Sequence, residues 1–147
     1  MAYTNALSAY RETKIKTAGQ GQLIIMLYDE AVKNLDRSLD LLSIQSVKRE
    51  PANIEQISKS ILKTQEIITE LMVSLDFEQG GDIAKNLFAL YTWFNRELLE
   101  SNVSHDIRRI TAIRNMMNEL RDAWNEIVTT SQADIAARPV SGINIAG

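Results

Sequence analysis

A chain of 147 residues, 45% hydrophobic and 24% charged, has the length and composition of one globular domain with a real core, not of a disordered or membrane-spanning protein. With no cysteine and a net charge of −3, disulfide frameworks and thiolate metal sites are excluded, nothing attracts nucleic acid or anionic lipid in general, and a cytoplasmic location is expected. The longest uncharged stretch, Thr17 to Tyr28, falls well short of the roughly 20 residues of a spanning helix, and no signal-like apolar run precedes Arg11.

Taken in chain order, residues 1–16 place Tyr3, Leu7 and Tyr10 at spacings of four and three. That is one apolar face of a helical segment too short to stand alone, since isolated helices are marginal even at about 12–15 residues. The segment must dock on something. The first long helix is expected over about 19–46, with Thr17 as its N-cap. Its stripe is Ile24, Leu27, Tyr28, Ala31, Leu35 and Leu42, all on one face at 100° per residue.

The second helix is expected over about 51–75, opened by Pro51, because a proline at the first helical position loses no hydrogen bond. Ile54, Ile57, Ile61, Ile68, Leu71 and Leu75 alternate by threes and fours, the pattern of a bundle seam. Gly80-Gly81 ends the following turn. The third helix is expected over about 81–101, with Ile83, Leu87, Leu90, Tyr91, Phe94 and Leu98 as its stripe, and the fourth over about 106–130, with Ile110, Ile113, Met117, Leu120, Trp124 and Ile127. Short turns force antiparallel neighbours. The fold predicted is a single all-α domain, an antiparallel up-down four-helix bundle over 17–130, with a mobile N-terminal segment (1–16) and a disordered tail (131–147).

Catalytic equipment is missing. The sole histidine, His105, falls in an interhelix turn, and Asn102 stands where a bundle di-iron site needs the Glu of Glu-x-x-His. Gly19-Gln20-Gly21-Gln22 lacks the Lys-Ser/Thr ending of a phosphate loop. The carboxylates are scattered on polar faces, and Arg108, Arg109 and Arg114 lack the interleaved aromatics of a nucleic-acid surface. No enzyme activity, cofactor or metal is expected.

What stands out is surplus. Leu23-Ile24-Ile25-Met26-Leu27-Tyr28 is apolar all round, although a bundle helix needs one stripe. Ile25 and Val32 are expected on a flank of the first helix, and Leu62 and Val73 away from the isoleucine seam. Phe88 and Leu99 flank the third helix on one side, Trp93 on the other. Such residues either fill corners of the bundle or form an unclaimed patch that marks a partner site. Burying five or six of them gives on the order of 10 kcal/mol gross, and ordering a disordered partner takes back about 2–5 kcal/mol. Micromolar helix-in-groove binding, near −8 kcal/mol, is therefore reasonable.

The order Ala9-Tyr10, Thr17-Ala18, Gln22-Leu23-Ile24, Met26-Leu27-Tyr28-Asp29, then Leu75-Asp76, Gly80-Gly81, Ala84, Asn86-Leu87, Leu90-Tyr91, then Leu120-Arg121, Ala123-Trp124 resembles the FliS family of flagellin export chaperones over about residues 9–126. Gly19-Gln20 stands where family members commonly carry Ser-Pro. The resemblance implies a cytoplasmic helical bundle that binds the disordered C-terminal region of flagellin. It prevents premature polymerisation and presents the subunit to the flagellar type III export gate, a further partner. The implied binding surface includes the N-terminal segment and the first long helix. The expected partner-binding residues are Leu7, Tyr10, Ile15, Ile25, Tyr28 and Val32, with Leu62 and Val73 besides, and Tyr28 serves equally well as core. The alternative is a structural helical protein that self-associates through its surplus apolar face.

Overall fold

The computed structural model describes the backbone of residues 19–137 and the side chains of residues 20–130. Four helices follow one another: α1 (Gly19–Lys48), α2 (Pro51–Val73), α3 (Phe77–Ser104) and α4 (Ile107–Ala137). No strand occurs among the described residues, and the antiparallel four-helix bundle is as expected.

Each turn has a local cause. α1 ends at Arg49, which adopts a left-handed φ of 51° while its N–H donates to the Gln45 carbonyl at 3.0 Å. Glu50 is extended and Pro51 starts α2. Asp76 caps α3 through Oδ1, which accepts from the amides of Glu78 and Gln79 at 3.0 Å each. α3 therefore begins at Phe77, ahead of the double glycine expected to precede it. Gly81, at φ 50° and ψ −124°, then breaks the helical path, so the first turn of α3 is set at an angle to the rest. His105, at φ 55°, ends α3 with its N–H on the Ser101 carbonyl at 2.7 Å. Asp106 caps α4 by accepting from the Arg109 amide at 3.2 Å. α4 continues to Ala137, beyond the expected stop near 130, because neither glycine nor proline occurs until Pro139.

The core is one cluster drawn mostly from the expected stripes, with Val32 and Ile67 added from outside them. Leu27, Tyr28, Ala31, Leu35 and Leu42 meet Ile57, Ile61, Ile68 and Leu71, then Tyr91, Phe94 and Leu98, then Ile110, Ile113 and Met117. Three stripe members are exposed instead: Ile54, Ile83 and Ile127. Ile54 lies in the first turn of α2, and Ile83 just past the Gly81 break, which rotates it out of register. Ile127 yields to Val128, which meets α1 at Gly21.

The helices are not equally embedded. α1 packs most closely, against both α2 and α4; α3 lies against α2 and only lightly along α4. Two ion pairs tie the rim of the α1–α4 seam, Arg114 Nε–Asp36 Oδ1 at 2.8 Å and Arg121 Nε–Asp29 Oδ1 at 2.7 Å.

A candidate partner-binding cleft

Among the described residues, the end of the bundle that carries the α2–α3 turn holds an apolar cleft. The start of α1 is held tightly against α4: a Cβ placed on Gly21 would lie 2.5 Å from Val128 Cγ2, so the helices meet there with no room for a side chain. On the other side, the angled first turn of α3 stands away from them. Between these walls lies a cleft of about 320 Å³, lined by Ile24 of α1, Leu75, Ala84, Leu87 and Tyr91 below the turn, and Trp124 of α4. Gln20, Asp76, Gln79 and the exposed Ile83 form its rim.

The floor is a neutral polar cluster. The hydroxyls of Tyr28 and Tyr91 lie 2.5 Å apart, with ring centroids 6.5 Å apart. Burial pushes the phenol of Tyr28 up, reinforced by the neighbouring Tyr91, and burial pushes Tyr91 up likewise. Neither is a nucleophile or base near neutral pH. The pair satisfies two hydroxyls that would otherwise be costly to bury. The cleft volume is at the lower end of the roughly 300–1,000 Å³ typical of small-molecule sites, and its lining is mainly apolar. It suits a few large side chains of another chain.

The expected site residues divide into three groups. Leu7, Tyr10 and Ile15, with the Thr17 cap and the tail from 138 onward, lie outside the described residues. Ile25, Tyr28 and Val32 are buried at 4%, 0% and 8% exposure. The expectation that Ile25 and Val32 stand on a free flank is thus corrected. α1 is covered by two close neighbours, which need a wider apolar arc than one stripe supplies, and Val32 joins the core. Ile25 is buried outside that continuous core, and Tyr28 is core, sealed behind the cleft-lining Tyr91 to which it is hydrogen-bonded.

Leu62 and Val73, in contrast, are exposed as expected, together with Phe88 and Leu99. The register of the α2–α3 hairpin is fixed by Gln65 Nε2 donating to the Asn95 carbonyl at 3.0 Å and Asn102 Nδ2 donating to Ser58 Oγ at 3.2 Å. That register sets Leu62 level with Leu99, and Val73 level with Phe88, on the outer face of the hairpin. Phe77 meets Phe88 edge to face, centroids 6.0 Å apart. Val73 adjoins the cleft-lining Ser74 and Leu75; Leu62 is remote from them. Trp93 is half-buried against Phe94.

Sequence periodicity missed the cleft because Ile24, Leu87, Tyr91 and Trp124 all read as core stripe. The available signal was the placing of glycines: Gly21 draws α1 onto α4, and Gly81 turns the start of α3 away. Two members of the basic cluster are paired, Arg109 with Glu97, Glu100 and Asp106 and Arg114 with Asp36. Among the described residues no His/Cys/Asp/Glu group is placed to hold a metal ion, and no helix is long and apolar enough to cross a membrane.

Residues 3–131 match the family model described as "Flagellar protein FliS". The chain is 34% identical over 116 residues to the flagellar secretion chaperone FliS of Salmonella typhimurium, covering 79% of this chain and 82% of that one. It is 32% identical over 116 residues to the Escherichia coli protein of that name, covering 78% and 80%. The Bacillus subtilis counterpart is 25% identical over 134 residues, covering 91% and 94%. Among solved structures, a bacterial flagellar chaperone superposes with a TM-score of 0.66 at 20% identity, over 86% of this chain and 98% of its own, a likeness of fold.

Proposed function

The chain belongs to the FliS family, and from that premise we propose that it holds the C-terminal segment of flagellin in the cytoplasm until export. It is an export chaperone, not an enzyme. The observation that carries the client assignment is the apolar cleft between α1, α3 and α4. Its size suits side chains from one face of an amphipathic helix, and the exposed Ile83 extends it onto the surface. A client segment that polymerises through apolar helical faces would have those faces occupied here, and delivery to the export gate would follow with the client still unfolded elsewhere.

Leu7, Tyr10 and Ile15 are assigned to the same site, as tethered apolar side chains next to α1. Ile25 and Tyr28 act from beneath, by shaping the start of α1 and the cleft floor, and Val32 acts through the core that supports them. Val73 borders the site, and Leu62 belongs to a second patch on the outer face of the hairpin. A helical client gains on the order of 1.5–3 kcal/mol for each large apolar side chain it buries, so three or four anchors suffice for micromolar binding after the cost of ordering.

Calorimetric titration of the protein with a flagellin C-terminal peptide tests this. One-to-one binding is expected, weakened about tenfold or more by Ile83→Asp and little changed by Leu62→Asp. The reverse pattern would move the site to the hairpin face. No heat, with a concentration-dependent dimer in the ultracentrifuge, would favour the self-associating reading.

A further inference from the structure

The outer face of the α2–α3 hairpin carries two exposed apolar levels, Leu62 with Leu99 and Val73 with Phe88. The core is already complete from the inner faces of both helices, so nothing in the monomer requires these four positions to be apolar. On each helix the two positions are eleven residues apart, which separates the levels by about 16 Å at about 1.5 Å per residue. Between the levels the face is polar, with Thr69 and Thr92 exposed.

The charges follow the same plan. At about 100° per residue, Glu66 falls on the flank of α2 away from α3, and Arg96 on the flank of α3 away from α2. The hairpin register puts both at the middle level, beside the Gln65–Asn95 hydrogen bond. Glu66 is half-buried and Arg96 exposed, and neither forms an ion pair with a described residue. A half-turn about an axis running along the hairpin groove exchanges the places of α2 and α3. It lays Leu62 on Leu99 of a second copy, Val73 on its Phe88, and Glu66 beside its Arg96, each contact occurring twice. A surface that matches itself under a half-turn is what an isologous interface requires. A partner of another kind would demand no such agreement between the two helices.

We propose that two copies of this chain associate hairpin to hairpin, α2 of each on α3 of the other, about a two-fold axis parallel to the helices. With helices about 8–10 Å apart, the face measures on the order of 25 by 20 Å, so about 1,000 Å² is buried in total. That is the lower limit for a specific interface, so the association is reversible and of micromolar strength. The proposal does not rest on the client reading. Val73 adjoins the cleft, but Ile24, Leu87, Tyr91 and Trp124 line it from the interior side, and each copy keeps its own.

Sedimentation of the full-length protein without client, from about 1 to 200 μM, reads the monomer–dimer equilibrium directly. Leu62→Asp and Leu99→Asp should each weaken it about tenfold or more, and circular dichroism checks that these exposed-site variants stay folded. Glu66→Arg and Arg96→Glu, each setting like charges together, should self-associate more weakly than the parent. An equimolar mixture of those two should associate at least as well as the parent, because each copy then supplies the charge the other lacks. A parent that stays monomeric throughout, a dimer indifferent to both leucine substitutions, or a mixture no better than its components would overturn the proposal. So would a monomeric parent whose binding of a flagellin C-terminal peptide is abolished by Leu62→Asp, since the face would then belong to the client. Failure of the client reading itself shows only in the calorimetry, so the two fail separately.

Discussion

At the scale of single residues, the closest helix contact gives the sharpest expectation. Gly→Ala inside a helix ordinarily stabilises by about 1 kcal/mol. At Gly21 the new methyl would sit 2.5 Å from Val128 Cγ2, and a β-branched helical side chain has little rotamer freedom with which to yield. Gly21→Ala should therefore lower stability by about 1–3 kcal/mol, as overpacking does, and adding Val128→Ala should restore it. Thermal unfolding of the single and double variants checks this; a stabilised Gly21→Ala would mean that α1 and α4 do not approach so closely. The tyrosine pair supplies a second expectation. Both phenols are raised above their ordinary value by burial, so the folded state holds its protons where the unfolded chain, titrating near pH 10, has lost them. The stability this confers is complete below about pH 10 and falls as pH climbs above it. Tyr28→Phe alone should cost about 1–2 kcal/mol by orphaning Tyr91, less should be lost on adding Tyr91→Phe, and the double variant should have a flatter alkaline unfolding profile.

At the scale of elements, much was legible in the sequence. Apolar residues at threes and fours gave four helices and most of their buried faces, because in a bundle burial and helical period coincide. Pro51 marked a helix start by the chemistry of free amides. What periodicity does not carry is how helices lean on one another. Ile25 and Val32 read as surplus because the width of the arc a helix buries depends on how closely two neighbours approach it, and Ile83 read as core because the break at Gly81 was invisible in the spacing. That break is itself testable. Gly81 has φ 50°, and a methyl added there would find nothing within 4 Å, so Gly81→Ala would meet backbone strain and no clash, costing about 1–2 kcal/mol. If the angled turn shapes the cleft, client affinity should fall with it. The rim ion pairs are a contrast. Arg114–Asp36 and Arg121–Asp29 are partly exposed, and Arg121→Ala should change stability by less than about 1 kcal/mol, whereas Phe94→Ala in the core should cost about 3–5 kcal/mol.

For the molecule as a whole, the two ends of the bundle differ in kind: one holds the oily cleft, floored by an un-ionised phenol pair, the other is fringed by a guanidinium, an imidazole and a helix start. Among the described residues neither end has the features of catalysis. The light packing of α3 along α4 also has a kinetic consequence. Backbone amides exchange with solvent deuterium through local openings, and the least embedded segment opens at the lowest free energy. The first half of α3 should therefore be labelled before the middle of α1 by orders of magnitude in time. A bound client wedged beside α3 should slow that labelling even at amides it never touches, so that mass spectrometry would register occupancy as a helix becoming quiet.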